Sequence, residues 1–174
     1  MKLLTRAKLS GLCAAAMLLG GPTQAGESLP FSYMTLNGVH DVAISIEDLE
    51  RDLEVYGLTE RRIRALVEPS LRADGLNVIA ASAALTTPNA GLLRVRIISN
   101  YDANGFYHLS VKLEFRAKVP LGNAAGGFVS QAVWTDAHNA VILASEVDKI
   151  DPLVIDAMKK FSVDYRAQNG VLGH

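Results

Sequence analysis

The stretch FYHLSVKLEFRAKV, residues 106–119, constrains this chain more than any other. Its apolar and polar residues alternate, and a period of two belongs to a β-strand, whose successive side chains leave on opposite faces. Tyr107, Leu109, Val111, Leu113, Phe115, Ala117 and Val119 leave on one face, and His108, Ser110, Lys112, Glu114, Arg116 and Lys118 on the other. Such a strand belongs in a sheet with one covered face and one face left toward solvent or a partner.

The rest of the chain supplies the cover. Val39–Ile46 reads as a first strand, and EDLERDLEVYG, residues 47–57, as a weak helical turn or a loop ending at Gly57. Thr59 is placed to cap a helix over 60–73. Ile63, Leu66, Val67 and Leu71 share one face of that helix. Pro69 lies inside the pattern and predicts a kink or a break, because proline removes a backbone donor and crowds the preceding turn. Gly75 fits a left-handed stop. A short strand over 76–80, a loop over 81–91 and a strand over 92–100 follow, and Asn104-Gly105 turns the chain into the long strand. Two strands, 128–135 and 140–144, are expected to pair across Asp136-Ala137-His138-Asn139. Asp151-Pro152 opens a last helix with Leu153, Val154, Ala157, Met158 and Phe161 as its apolar stripe. The order is β-α-β-β-β-β-β-α. This predicts an α+β fold: a single, mainly antiparallel sheet with two helices packed on one face.

The first 25 residues have the form of a secretory signal peptide. Lys2, Arg6 and Lys8 precede an apolar segment from Leu9 to Gly20, and Thr23-Gln24-Ala25 predicts cleavage after Ala25. The apolar segment is short of the roughly 20 residues that span a bilayer. No later stretch approaches that length, so the mature chain is expected to carry no transmembrane span and to reside in the periplasm or outside the cell. Residues 26–37 form an extended lead, 38–170 a single domain and 171–174 a tail.

Several chemistries find no footing. Cys13 is the only cysteine and lies in the predicted signal peptide, so disulfides and thiol chemistry are excluded from the mature chain. The formal charge of −1 includes three cations that cleavage removes. The more acidic remainder offers no electrostatic case for nucleic acid. His40, His108, His138 and His174 have no metal-ligand spacing, and HExxH, GxSxG and SxxK are all missing. The acidic run Glu47, Asp48, Glu50, Asp52, Glu54 lacks the mid-loop glycine of a calcium loop. GNAAGG, residues 122–127, lacks the Lys-Ser/Thr ending of a phosphate loop and reads as a hairpin loop. No metal and no cofactor is expected.

The polar side of the sheet remains. Arg94, Arg96, Lys112, Arg116 and Lys118 fall on one face, with Glu114 opposing them. Like charges across strands destabilise a sheet, so this cluster suits an anionic envelope ligand or an acidic protein segment, the 47–54 run of the same chain included; the competing reading, an ordinary solvated face whose basic side chains shield the sheet from aggregation, is the favoured one. Trp134 is a candidate aromatic anchor, though burial in the core is favoured for it, as for most large aromatics. Export, the α+β pattern and the missing catalytic motifs favour a non-enzymatic binding or accessory protein of the envelope. A competing reading is an envelope-substrate hydrolase using His108 with Asp102, which flank the same hairpin. A third is a structural subunit that pairs through a sheet edge.

LTERRIRALVEPSLRADGLNV, residues 58–78, resembles the helix and following strand of a group of small secreted bacterial α+β proteins of unassigned function. AVWTD around Trp134 and VDYRAQNG near the C-terminus look like the same group's remaining signatures. Pro69 departs from the uninterrupted helix of that pattern. A looser similarity links the chain to small α+β domains of envelope assembly and transport machines. The resemblance implies a fold and carries over no catalytic residue.

Overall fold

A computed structural model describes residues 36–47, 49–120 and 128–170. The predicted signal peptide and cleavage site, most of the N-terminal lead, the GNAAGG loop and the 171–174 tail lie outside the described residues. In chain order the elements are β1 (Asp41–Glu47), α1 (Arg51–Val55), α2 (Glu60–Ala73), β2 (Asn77–Ile79), α3 (Ala81–Ala84), β3 (Ala90–Tyr101), β4 (Phe106–Pro120), β5 (Phe128–Leu143), a 3-10 segment (Ala144–Lys149) and α4 (Ile150–Asn169). The five strands form one sheet in the order β2-β1-β3-β4-β5. The α+β class and the single sheet with packed helices are as the sequence predicts.

The long strand is the centre of the layer. β4 pairs antiparallel with β3 and β5, placing Val95 beside Leu113 and Trp134 beside Phe115. Tyr107, Leu109, Val111, Leu113 and Phe115 are all buried on the face that α2 and α4 cover. α2 contributes Ile63, Val67 and Leu71 to this core, and α4 contributes Val154, Ala157, Met158, Phe161 and Tyr165. Ion pairs tie the two helical segments at both ends: Arg62 to Asp151 at 2.9 Å, and Arg166 to the buried carboxylate of Asp74 at 2.6 Å.

β1 joins this meander by parallel pairing with β3 and also pairs parallel with β2. The register sets Ser45 opposite Arg94 and Glu47 opposite Arg96. The short α3 packs on the other side of the sheet, where Ala84 meets Ala43 and Ala90 in a separate small cluster. The 81–91 segment thus contains a turn of helix and the start of β3, where the sequence suggested only a loop.

Three local expectations change. Asp136-Ala137-His138-Asn139 does not turn: β5 runs unbroken from Phe128 to Leu143. Alternation persists through it, with Trp134, Asp136, His138, Ala140 and Ile142 all opposite core-face residues of β4. The polar pair tolerates this face because α4 brings Lys160 to Asp136 at 2.5 Å, and His138 Nε2 lies 2.8 Å from the other carboxylate oxygen. Pro69 neither ends α2 nor removes its far turn from the core. Both Pro69 and Ala65, whose carbonyl loses its donor, are exposed, so the lost bond lies on the solvent side of α2. The last helix begins at Ile150, and Asp151 serves Arg62 rather than capping. Elsewhere the punctuation is as predicted: Thr59 Oγ1 accepts from the Arg62 N–H at 3.2 Å, and Gly75 adopts φ +82°.

Candidate functional site

With α2 and α4 on one side, the opposite side of β1, β3, β4 and β5 presents the alternate residues. Arg94, Arg96, Lys112, Arg116 and Lys118 lie together there, as expected from the period of two. Two carboxylates organise them. Glu47, at the end of β1, binds Arg94 through one oxygen and Arg96 through the other, with Arg96 Nη2 at 2.6 Å. Glu114, from β4, receives Arg116 at 2.7 Å, Lys112 at 3.2 Å and Arg94 at 3.4 Å. Arg94 therefore bridges the two carboxylates.

These contacts shift the acids in one direction. The hydrogen bond from Arg96, helped by Arg94, holds the Glu47 carboxyl below its ordinary range despite partial burial. Glu114 is lowered in the same way, chiefly by Arg116 and then by Lys112. The Arg94 guanidinium is raised by its hydrogen bond to Glu47. Both acids stay ionised at neutral pH.

The cations differ in what they leave open. Arg116 also donates from Nη2 to the Ser130 carbonyl at 2.7 Å, and Lys118 Nζ donates to the carbonyls of Leu85 and Thr87 at 2.7 and 3.0 Å. Those two side chains are committed to the fold as much as to the surface. Arg96 and Lys112, paired directly across β3 and β4, are the more open, at 42% and 39% side-chain exposure. Among the described residues, Glu47 and Glu114 are the carboxylates in contact with this group of five cations. Glu47 belongs to the 47–54 acidic run that the sequence offers as one possible partner of these cations, and of that run it is Glu47 that meets Arg94 and Arg96. It also continues the Ser45–Glu47 alternation of β1, and that was the available signal for its place on this face.

Toward the β3–β4 turn the same face becomes apolar. Phe106, Ile98, Val141 and Leu143 are between 39% and 57% exposed. A shallow trough of about 450 Å³ runs between Ile98 and Val141, lined also by Asn100, His108, Ser110 and Asn139 among others. His108 Nε2 lies 3.1 Å from Asp102 Oδ2. The turn itself builds that contact: Asp102 Oδ1 accepts from the N–H groups of Asn104 and Phe106, each at 2.9 Å, which aims Oδ2 at the imidazole. The Phe106 hydrogen bond, followed by that of His108, lowers the Asp102 carboxyl. Among the described residues no hydroxyl hydrogen-bonds the His108 ring, so no nucleophile is engaged there.

Trp134 belongs to the other side of the sheet. It is 7% exposed, stands edge-on to Phe161 at 5.2 Å, and donates Nε1–H to Asp164 Oδ2 at 2.8 Å. The burial favoured for it from the sequence is what the structure shows, and the alternative, an exposed anchor, is corrected: Trp134 is a core residue with a satisfied indole. Among the described residues no group of His, Cys, Asp and Glu is arranged to hold a metal ion, and no helix is long and apolar enough to cross a membrane.

No family model and no curated protein matches the chain. It is similar to solved structures at low identity. One is a minor lipoprotein from Acinetobacter baumannii, with 12% identity over 75% of this chain and 93% of that one and a TM-score of 0.41. Another is a variant of PelC from Paraburkholderia phytofirmans, crystallised as a dodecamer, with 12% identity over 74% and 90% and a TM-score of 0.41. A further PelC dodecamer from the same organism shows 16% identity over 72% and 88%, with a TM-score of 0.40. Likenesses this distant carry no function across.

Proposed function

We propose that this chain is an exported envelope protein that works by binding, with the outer face of the sheet as its contact surface for an anionic envelope ligand. One observation carries the reading: on the face opposite α2 and α4, five cations gather about Glu47 and Glu114 among the described residues, and Arg96 and Lys112 stay 42% and 39% exposed while paired to them. Arg94 and Arg96 are already anchored by Glu47, so less conformational freedom is lost when an anion meets them. The neighbouring trough adds apolar surface for the uncharged part of the same ligand.

The test uses phosphatidylglycerol vesicles and a carboxylated polysaccharide, alginate, as two separate probes. Arg96→Glu with Lys112→Glu should abolish retention on whichever probe binds and leave the circular dichroism spectrum unchanged. Retention on neither probe by the native chain, or unchanged retention by the variant, would overturn the reading.

The His108–Asp102 contact favours a second reading, an envelope-substrate hydrolase. Full complementation of a deletion strain by His108→Ala would remove it.

A further inference from the structure

Toward the β3–β4 turn, the outer face of the sheet carries apolar side chains where solvent-facing positions are ordinarily polar. Strand pairing arranges this end in rows: Ile98 with Ser110 and Asn139, Asn100 with His108 and Val141, and Phe106 with Leu143. The row before them is Arg96 with Lys112, the two open cations. Successive rows lie two residues apart, about 7 Å along a strand. The cations therefore stand about 7 Å from the Ile98 row and about 20 Å from the Phe106–Leu143 row. Two acids border the apolar rows, and both are engaged. Asp102 accepts from the N–H groups of Asn104 and Phe106 and lies beside His108, while Glu146 accepts from the Leu143 N–H and pairs with Lys149. The acids of α1 belong to the other side of the sheet, where Leu53 is buried in one cluster with Tyr107 and Leu109.

We propose that this end of the outer face docks on the surface of an anionic lipid bilayer, with Arg96 and Lys112 meeting lipid phosphates and Ile98, Phe106, Val141 and Leu143 entering the interface beside them. The proposal rests on the binding reading above and names its ligand. Charge and apolar surface together select a lipid. A carboxylated polysaccharide answers the cations alone and leaves the four apolar side chains in water. A lipid joins a phosphate to an apolar body, in the same order as the cation row and the apolar rows. The shape of the trough selects a bilayer over a single extracted lipid. A site for one small molecule encloses most of its surface, whereas this trough is shallow and covers a ligand from one side. In a bilayer the neighbouring lipids cover the rest. An anionic leaflet draws basic side chains to it, and an amphipathic surface then seats its apolar residues at the headgroup boundary. Surface cations alone give an attraction that salt screens; the apolar rows add a part that salt does not.

The test places a polarity-sensitive fluorophore at single cysteines in the full chain, with Cys13→Ser so that each new thiol stands alone. Val141→Cys puts the label in the apolar rows. Val163→Cys puts it on the exposed side of α4, across the sheet, at a position 67% exposed. Both sites are open, so neither substitution disturbs the core. The probes are phosphatidylglycerol vesicles, phosphatidylcholine vesicles and alginate. Phosphatidylglycerol vesicles should shift the Val141→Cys label to the blue and leave the Val163→Cys label unchanged. Phosphatidylcholine vesicles should shift neither. Val141→Ser with Leu143→Ser should weaken retention on phosphatidylglycerol about tenfold, with circular dichroism unchanged. Retention on alginate but not on phosphatidylglycerol vesicles would overturn this proposal and leave the binding reading standing; retention on neither would overturn both. A shift at Val163→Cys as large as that at Val141→Cys, vesicle retention without a shift at Val141→Cys, or equal retention on the two lipids would also overturn the docking geometry proposed here.

Discussion

Gly91 lies directly against the ring of Phe115: a methyl group on its Cα would stand 2.0 Å from Cζ. Phe115 is fully buried and packs at a tilt against Phe161, ring centroids 5.4 Å apart, so the ring has little room to retreat. Gly91→Ala should therefore destabilise the fold by about 1–3 kcal/mol, the usual cost of overpacking a core. A lowered urea midpoint with an unchanged slope would be the signature; an unchanged midpoint would mean that β3 and β4 can part at this point.

Pro69→Ala should act in the opposite direction. α2 continues through Pro69 and the position is exposed, so alanine restores a backbone hydrogen bond without disturbing packing. The helix-propensity difference of about 3 kcal/mol is an upper bound, because alanine also frees the unfolded chain. Thermal denaturation should show a raised midpoint.

Glu47 couples β1 to the cation cluster. Its pKa is depressed in the fold, so its contribution is present above the unfolded value, ordinarily 4.5, and is lost as pH falls through the folded one. Urea midpoints followed from about pH 7 to about pH 3 should show that loss in the native chain and a shallower one in Glu47→Gln. At neutral pH the variant should lose less than about 1 kcal/mol, since the pairs are partly solvated. Anion retention should persist or tighten in it, because the surplus of cations grows.

Trp134 is the chain's single tryptophan, which makes its fluorescence a direct report on the sheet–helix interface. Emission should be blue-shifted in the native state and move red in one step with unfolding. Trp134→Ala should cost about 3–5 kcal/mol, as large-to-small changes at buried aromatics do. A red-shifted native emission would place the indole in water and contradict its burial.

Much of this was legible along the chain because it is local. The alternation of residues 106–119, the Thr59 cap and the Gly75 stop are properties of neighbours, and each is present in the fold. The misread turn at 136–139 was a matter of partners. Asp, His and Asn are turn formers when solvated, but Lys160, twenty-four residues on, neutralises Asp136 and lets the strand continue. Trp134 was singled out for its chemistry, while its position was decided by α4, which supplies Asp164 and Phe161.

The sequence by itself determined the sheet, the covered face and the grouping of Arg94, Arg96, Lys112, Arg116 and Lys118 on the other. All of these follow from a side-chain period of two. Only the tertiary structure decided how that face is organised. Parallel pairing of β1 with β3 sets Glu47 opposite Arg96 across forty-nine residues of chain. A register between distant strands is chosen by which whole faces can be buried together, and no local pattern of residues encodes it.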